Sequence, residues 1–281
     1  MTVATLAEVL QPALKEGYAV AGLVCLGWED MRAYVEAAEV ENVPVILQAG
    51  PGCREHTPLP VLGKMFIHLA EQASVPVVAH LDHAYTMEEC AEALDSGFTS
   101  LMYDGSRKPL NQNIDETAAV VELARSGAIS CEGEIGFVGY ANGEASARTD
   151  PVEAALFATE TGVDAMAVSV GNVHLQTQKS DGLDRSSVES IQQQTGVPLV
   201  IHGGSGVPAS QRRDFAQSTS ICKYNIGTEL RMAFGSALRD AVNNDSTEFD
   251  RNTILKQTRD PVVAATRTVL QSMAHTNSRA G

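Results

Sequence analysis

Residues 75–83 read Val-Pro-Val-Val-Ala-His-Leu-Asp-His, and residues 197–206 read Val-Pro-Leu-Val-Ile-His-Gly-Gly-Ser-Gly. In both, a proline opens a short run of aliphatic residues, and the run ends in groups that carry chemistry. A near-continuous apolar run is what a strand needs when both faces are covered, as in a parallel sheet. Proline suits the start of such a strand and is costly deeper in the ladder. Together with Val75–Asp82 and Val197–His202, six further β-rich runs recur along the chain: Tyr18–Cys25, Val43–Gln48, which also opens Val-Pro, Thr99–Tyr103, Ala128–Glu134, Val163–Val170 and Ile221–Asn225.

Helical patterns separate these runs. Thr86 and Glu89 have capping-box spacing at the head of TMEECAEALDSG, with Gly97 placed to end the helix. Asp150-Pro151, then Glu153 and finally Gly162, repeat that grammar. Eight strand-then-helix units in 281 residues predict an α/β chain folded as one closed (β/α)₈ (TIM) barrel domain over residues 1–281. From Glu229 to about Ala274 the pattern predicts extra helices outside the barrel, followed by a polar tail, His275–Gly281. An open doubly wound sheet is the alternative, but no Gly-x-Gly-x-x-Gly follows the first run.

Lys and Arg number 20 against 35 Asp and Glu, a formal charge of −15. So acidic a surface repels phosphate backbones and anionic membranes, which argues against nucleic acid and membrane as partners. A small anion is still allowed, because backbone N–H groups hold phosphate locally. No run is long and apolar enough to span a bilayer, and the first 17 residues read as an amphipathic helix. Five scattered cysteines without a CxxC fit a reducing cytoplasm, not a disulfide framework.

In a barrel of this kind the chemistry sits where strands end. His83, His174 and His202 each fall at such an end, and three imidazoles converging on one mouth are a zinc arrangement with an open fourth position. Each taken singly reads rather as a hydrogen-bonded structural histidine. His80 lies within its run and reads as core, and His56, His68 and His275 carry no signal. The Gly203-Gly204-Ser205-Gly206 and Asn225-Ile226-Gly227-Thr228 stretches follow the last two runs, where barrels bind phosphate. Asp82 is either a proton carrier or a carboxylate that orients the neighbouring histidine. Lys223 is the one lysine inside a run, so a Schiff-base route is an alternative, although it leaves the histidines unexplained.

The set HLDH, YDGS, EGEIG, GNVH, IHGGSG and CKYNIGT resembles the class II, metal-dependent fructose-bisphosphate and tagatose-bisphosphate aldolase family, from about Gly17 past Thr228. The resemblance implies reversible aldol cleavage of a ketose phosphate to a glycerone-phosphate-like ketone and an aldehyde, through a zinc-stabilised enediolate. It implies His83, His174 and His202 as zinc ligands and Asp82 as proton donor to the aldehyde oxygen. Asp104 and Glu134 fall at a second, exchangeable metal position. Gly203, Gly204, Ser205, Asn225, Gly227 and Thr228 fall where phosphate and ketone are held. Glu144 is the nearest match to the family's loop glutamate, which moves the proton at the enolate carbon. A monovalent cation near the phosphate and a homodimer or homotetramer are further implications. Leu175, Val24 and Gly227 depart from the family pattern, so the reaction type is better specified than the sugar. The competing readings are another zinc-dependent barrel enzyme on a sugar phosphate, such as an isomerase or decarboxylase, and a non-catalytic aldolase-like subunit.

Overall fold

The computed structural model describes residues 2–141, 143, 145–178 and 182–274. Eight parallel strands close on themselves: β2 (Val20–Val24), β3 (Val45–Ala49), β4 (Val77–Ala84), β5 (Ser100–Tyr103), β6 (Ser130–Ile135), β7 (Ala165–Val168), β8 (Leu199–Ile201) and β9 (Ile221–Ile226). Each pairs with its sequence neighbours, and β9 returns to β2, with Val20 opposite Lys223 and Gly22 opposite Asn225. The expected (β/α)₈ barrel is therefore present as a single α/β domain. At all three Val-Pro openings the strand begins at the residue after proline, and the carbonyls of Pro76 and Pro198 accept from the neighbouring strand.

One strand escaped the sequence reading. Residues Val3–Ala4 form β1, which pairs with Val77 and Val78 of β4 below the point where β5 begins. It leads into α1 (Leu6–Glu16), started by a reciprocal Thr5–Glu8 capping box and ended by Gly17 in the left-handed conformation. The apolar face of α1, with Leu6, Val9, Leu10 and Ala13, closes the N-terminal end of the barrel against Val20, Ile46, Val78, Val200 and Cys222. Each such burial contributes about 1.5–3 kcal/mol before chain entropy is counted. Above that apolar layer the interior turns polar: His80, Ser100, Glu132 and Lys223 are fully buried.

The connections run outside the barrel. After β3 come two helices, α3 (Pro51–His56) and α4 (Leu59–Gln72). Single helices follow the next five strands: α5 (Met87–Asp95), α6 (Leu110–Ser126), α7 (Pro151–Thr161), α8 (Arg185–Gln192) and α9 (Ala209–Ser218). Helix α2 (Trp28–Glu41) connects β2 to β3. Thr86 caps α5 by accepting from the Glu89 amide, but the Glu89 side chain turns to the Tyr85 amide, so the expected box is half formed. Asp150 caps α7 by accepting from the amides of Val152 and Glu153, and Gly162 ends it at φ 66. Beyond β9 lie α10 (Thr228–Asn244), α11 (Arg251–Lys256) and α12 (Arg259–Gln271). Val262, Val269 and Leu270 of α12 join the outer core. The expected tail, His275–Gly281, lies outside the described residues.

Candidate metal centre

The histidines from the ends of three different strands meet. Ring centroids are 4.6 Å apart for His83–His202, 5.5 Å for His83–His174 and 5.6 Å for His174–His202. One nitrogen from each lies within 4.8 Å of the others, and His83, Asp104 and Glu134 form a second group of the same tightness. His83 belongs to both.

Each ring is held from behind. Side chains alternate along a strand, so Glu132 and Glu134 of β6 both point inward. Glu132 lies 3.2 Å from His202 Nε2 and accepts from the Lys223 ammonium at 2.6 Å. Glu134 Oε2 faces the other ring nitrogen, His202 Nδ1, at 3.3 Å. His83 Nδ1 is 2.8 Å from Asp104 Oδ2, while Asp104 Oδ1 accepts from the Ser106 hydroxyl at 2.6 Å. His174 is framed by the loop after β6: its amide donates to the Gly139 carbonyl and its carbonyl accepts from the Ala141 amide. Tyr140 stacks on its ring at 5.0 Å. Asn172 donates to the His202 carbonyl at 3.0 Å, tying the end of β7 to the end of β8.

The electrostatics follow from this packing. Burial opposes charge on His202, but Glu134 and Glu132 outweigh it and push its pKa up to about 10. On His83 burial is likewise outweighed, by Asp82 and by the Asp104 hydrogen bond, so its pKa is raised. Among the described residues no carboxylate is paired with His174; burial and the charges of the other two rings bring it down to about 3. Asp104 and Glu132 resist burial and stay well below the usual carboxylate range, Asp104 through His83 and Glu132 through Lys223.

A cation fits this donor set. His202 Nδ1 and Glu134 Oε2 are both buried and face each other at 3.3 Å, without a well-formed hydrogen bond to any group. An unmet buried polar atom costs about 1–3 kcal/mol, which coordination relieves. Three imidazoles with a position left open match zinc in a catalytic setting, and the carboxylates behind them match the usual orienting partners.

Beside the histidines lies a cavity of about 260 Å³, bordered by Asp82, Gly203, Ser205, Asn225, Thr228 and Arg231, among others. Asp82 Oδ1 accepts from Gln48 at 2.8 Å and Asn225 at 3.2 Å. Burial would raise its pKa, but the charges of His83, His202 and Lys223 prevail and lower it. The Gly203–Gly206 stretch makes a tight turn: Gly203 has φ 65, and a Cβ there would lie 2.1 Å from the Val173 carbonyl oxygen. The Ser205 hydroxyl accepts from the amides of Gly227 and Glu229, joining this turn to the first turn of α10. Gly227 and Thr228 border the cavity as well. Gly204 sits behind it, its carbonyl taken by the Arg212 guanidinium at 2.8 Å.

Lys223 is fully buried and held by Glu132, with His80 at 3.4 Å, so it supports the floor of the site and does not face the cavity. Glu144 lies outside the described residues. Sequence reasoning gave no role to Glu132 and Asn172, which lie within EGEIG and GNVH, and passed over Gln48, Arg54, Tyr140 and Arg231. Glu132 carried a usable signal, since period two puts it on the same face as Glu134. Gln48 carried another, as the single polar residue in an apolar run. Arg54 and Arg231 lie on helices, where nothing in the local pattern marks them. All three departures, Val24, Leu175 and Gly227, border the cavity, and Leu175 holds φ 56, a left-handed conformation that costs about 1–2 kcal/mol for a residue with a Cβ.

Comparison with known proteins gives one answer at every level. The model of the family described as fructose-bisphosphate aldolase class-II matches residues 4–278. The chain is 35% identical to the fructose-bisphosphate aldolase of Staphylococcus aureus over 269 residues, covering 93% of this chain and 94% of that one. It is 35% identical to that of Geobacillus stearothermophilus over 272 residues, covering 94% of each. Among solved structures, the YdjI aldolase of Escherichia coli K12 superposes with a TM-score of 0.85 at 29% identity over 97% of each chain. The fructose-bisphosphate aldolase of Campylobacter jejuni shares the fold, with a TM-score of 0.80 at 21% identity, covering 95% of this chain and 93% of that one. A closed barrel with an imidazole triad at its mouth, matched over nearly its whole length, makes this chain a member of the class II fructose-bisphosphate aldolase family of zinc-dependent lyases.

Proposed function

We propose that this enzyme cleaves a ketose phosphate reversibly into a glycerone-phosphate-like ketone and an aldehyde, with zinc held by His83, His174 and His202. The observation that carries the reading is the pair of unmet buried atoms, His202 Nδ1 and Glu134 Oε2, within the imidazole triad. When bound, zinc supplies a Lewis acid that polarises the substrate ketone and offsets negative charge on it.

The chain's own groups divide the remaining work. Asp82, kept ionised, takes the proton from the substrate hydroxyl in cleavage and returns it to the aldehyde oxygen in condensation. Gln48 and Asn225 saturate its Oδ1, which leaves Oδ2 for the substrate. The turn at Gly203 and Ser205 and the first turn of α10 at Thr228 offer backbone N–H groups to the phosphate, with Gly227 tying the two turns together through the Ser205 hydroxyl, Asn225 at the ketone end and Gly204 bracing the turn from behind. Anchoring the phosphate there fixes the reacting carbons beside the triad. Asp104 and Glu134, with His83, form a second exchangeable metal position. Glu144 moves the proton at the enolate carbon, and a monovalent cation sits near the phosphate.

Arg231 reaches the same cavity, and its Nε is buried without a hydrogen bond. That points to an anionic group at the far end of the substrate. Val24, Leu175 and Gly227 reshape the surroundings, so the sugar is a phosphorylated ketose not restricted to fructose 1,6-bisphosphate. The protein works in the cytoplasm as a homodimer or homotetramer. Among the described residues no helix is long and apolar enough to cross a membrane.

The test combines zinc analysis with an assay of glycerone phosphate against a panel of aldehydes, before and after chelation. Stoichiometric zinc and chelator-sensitive carbon–carbon bond formation are expected. Stoichiometric zinc without bond formation or cleavage on any ketose would replace this reading with another zinc-dependent reaction.

A further inference from the structure

Alternation along a strand would send the neighbours Asp82 and His83 to opposite faces of β4. Both border the cavity instead. The pairing of β4 with β5 slips between Leu81 and Ala84, and His83 takes φ 54. Left-handed backbone is unfavourable for histidine, so the surroundings must hold it there. The hydrogen bonds around the slip identify the holder. Arg54 of α3, its side chain 8% exposed, donates to the carbonyls of Ala49 at 2.8 Å, Asp82 at 2.7 Å and His83 at 3.0 Å. Glu89 of α5 lies 3.3 Å from the same guanidinium and accepts from the Tyr85 amide at 2.8 Å, closing the far side of the slip. A planar fork with several fixed donors can serve three carbonyls at once; an ammonium cannot serve them in that geometry.

We propose that Arg54 is a positioning residue that holds the left-handed turn at His83, so one buried guanidinium sets both the metal ligand and the proton-carrying carboxylate. Its bonds go to backbone carbonyls and to Glu89, not to either of the side chains it places. The proposal rests on the reading above, in which His83 binds zinc and Asp82 carries the proton. It differs from a general packing role in what it leaves alone: the phosphate cradle belongs to β8, β9 and α10, which Arg54 does not hold.

Arg54→Lys and Arg54→Ala test it through zinc affinity, measured by chelator competition, and through kcat and KM at saturating zinc. Both variants are expected to weaken zinc binding about 10- to 100-fold. Both should also lower kcat at saturating zinc while KM for the ketose phosphate stays within about twofold. Unchanged zinc affinity, unchanged kcat, or a KM that deteriorates in step with kcat would each overturn the assignment. Should Arg54→Ala not fold, Arg54→Lys carries the test alone, since it keeps the stem and the charge but not the fork. Wild-type protein that binds no zinc would remove the metal reading and leave this one open to amide hydrogen exchange. Arg54→Lys should then speed exchange at residues 83–85, and unaltered exchange there would overturn it.

Discussion

Asp82 and His202 feel each other's charge yet answer to different physics. In the proposed reading His202 offers Nδ1 to a cation, and its Nε2 is fixed by Glu132 at 3.2 Å. Asp82 spends one oxygen on Gln48 and Asn225, and in the same reading the other serves the substrate. His202→Ala is therefore expected to lose zinc, whereas Asp82→Ala keeps zinc and loses turnover by about 100-fold or more. Metal analysis beside kcat checks the separation, and equal metal loss in both variants would count against it. A pH dependence follows from the same residue. With its pKa pushed up to about 10, His202 carries a proton in the metal-free protein at neutral pH. Zinc must expel that proton, so affinity should climb with pH by about tenfold per unit over roughly pH 6–8.5. Competition titrations with a pH-calibrated chelator read this directly, and a flat profile would mean that His202 is not a ligand.

At the scale of elements, β2 shows how close the interior is to its limit. A Cβ at Gly22 would lie 1.9 Å from Gln48 Oε1 and 2.9 Å from Asn225 Oδ1. Gly22→Ala should cost about 1–3 kcal/mol through overpacking. By pushing Gln48 off Asp82 it should also lower kcat while zinc content holds. Thermal melts, metal analysis and turnover on the same sample decide it; unaltered turnover would mean that Gln48 does not orient Asp82. The eight barrel strands were legible because burial on both faces leaves a run of aliphatic residues, and at three of them a Val-Pro opening lies within two residues of the strand start. Strand β1 was not legible: two residues carry no period, and their pairing with Val77 and Val78 is wholly tertiary. The slip at His83 was hidden for the same reason. Strict alternation predicts the wrong face for one of Asp82 and His83, and only the carbonyl bonds of Arg54 reveal why both turn inward.

The molecule as a whole places its charges in layers. The chain carries a formal charge of −15, yet a lysine and a glutamate are buried side by side in the barrel beneath the histidines. Such a pair adds little to stability after desolvation; here it fixes Glu132, and through Glu132 the face that His202 turns to the mouth. Histidines, glycine turns and carboxylates were legible as a group because a barrel gathers its strand ends. What the sequence left unspecified were the groups behind them, since their partners lie on other strands. The most direct measurement is X-ray absorption at the zinc edge on the purified, zinc-loaded protein. Three imidazole nitrogens at about 2.0–2.1 Å with oxygen completing the shell are predicted. Sulfur in that shell, or fewer than three imidazoles, would contradict the account.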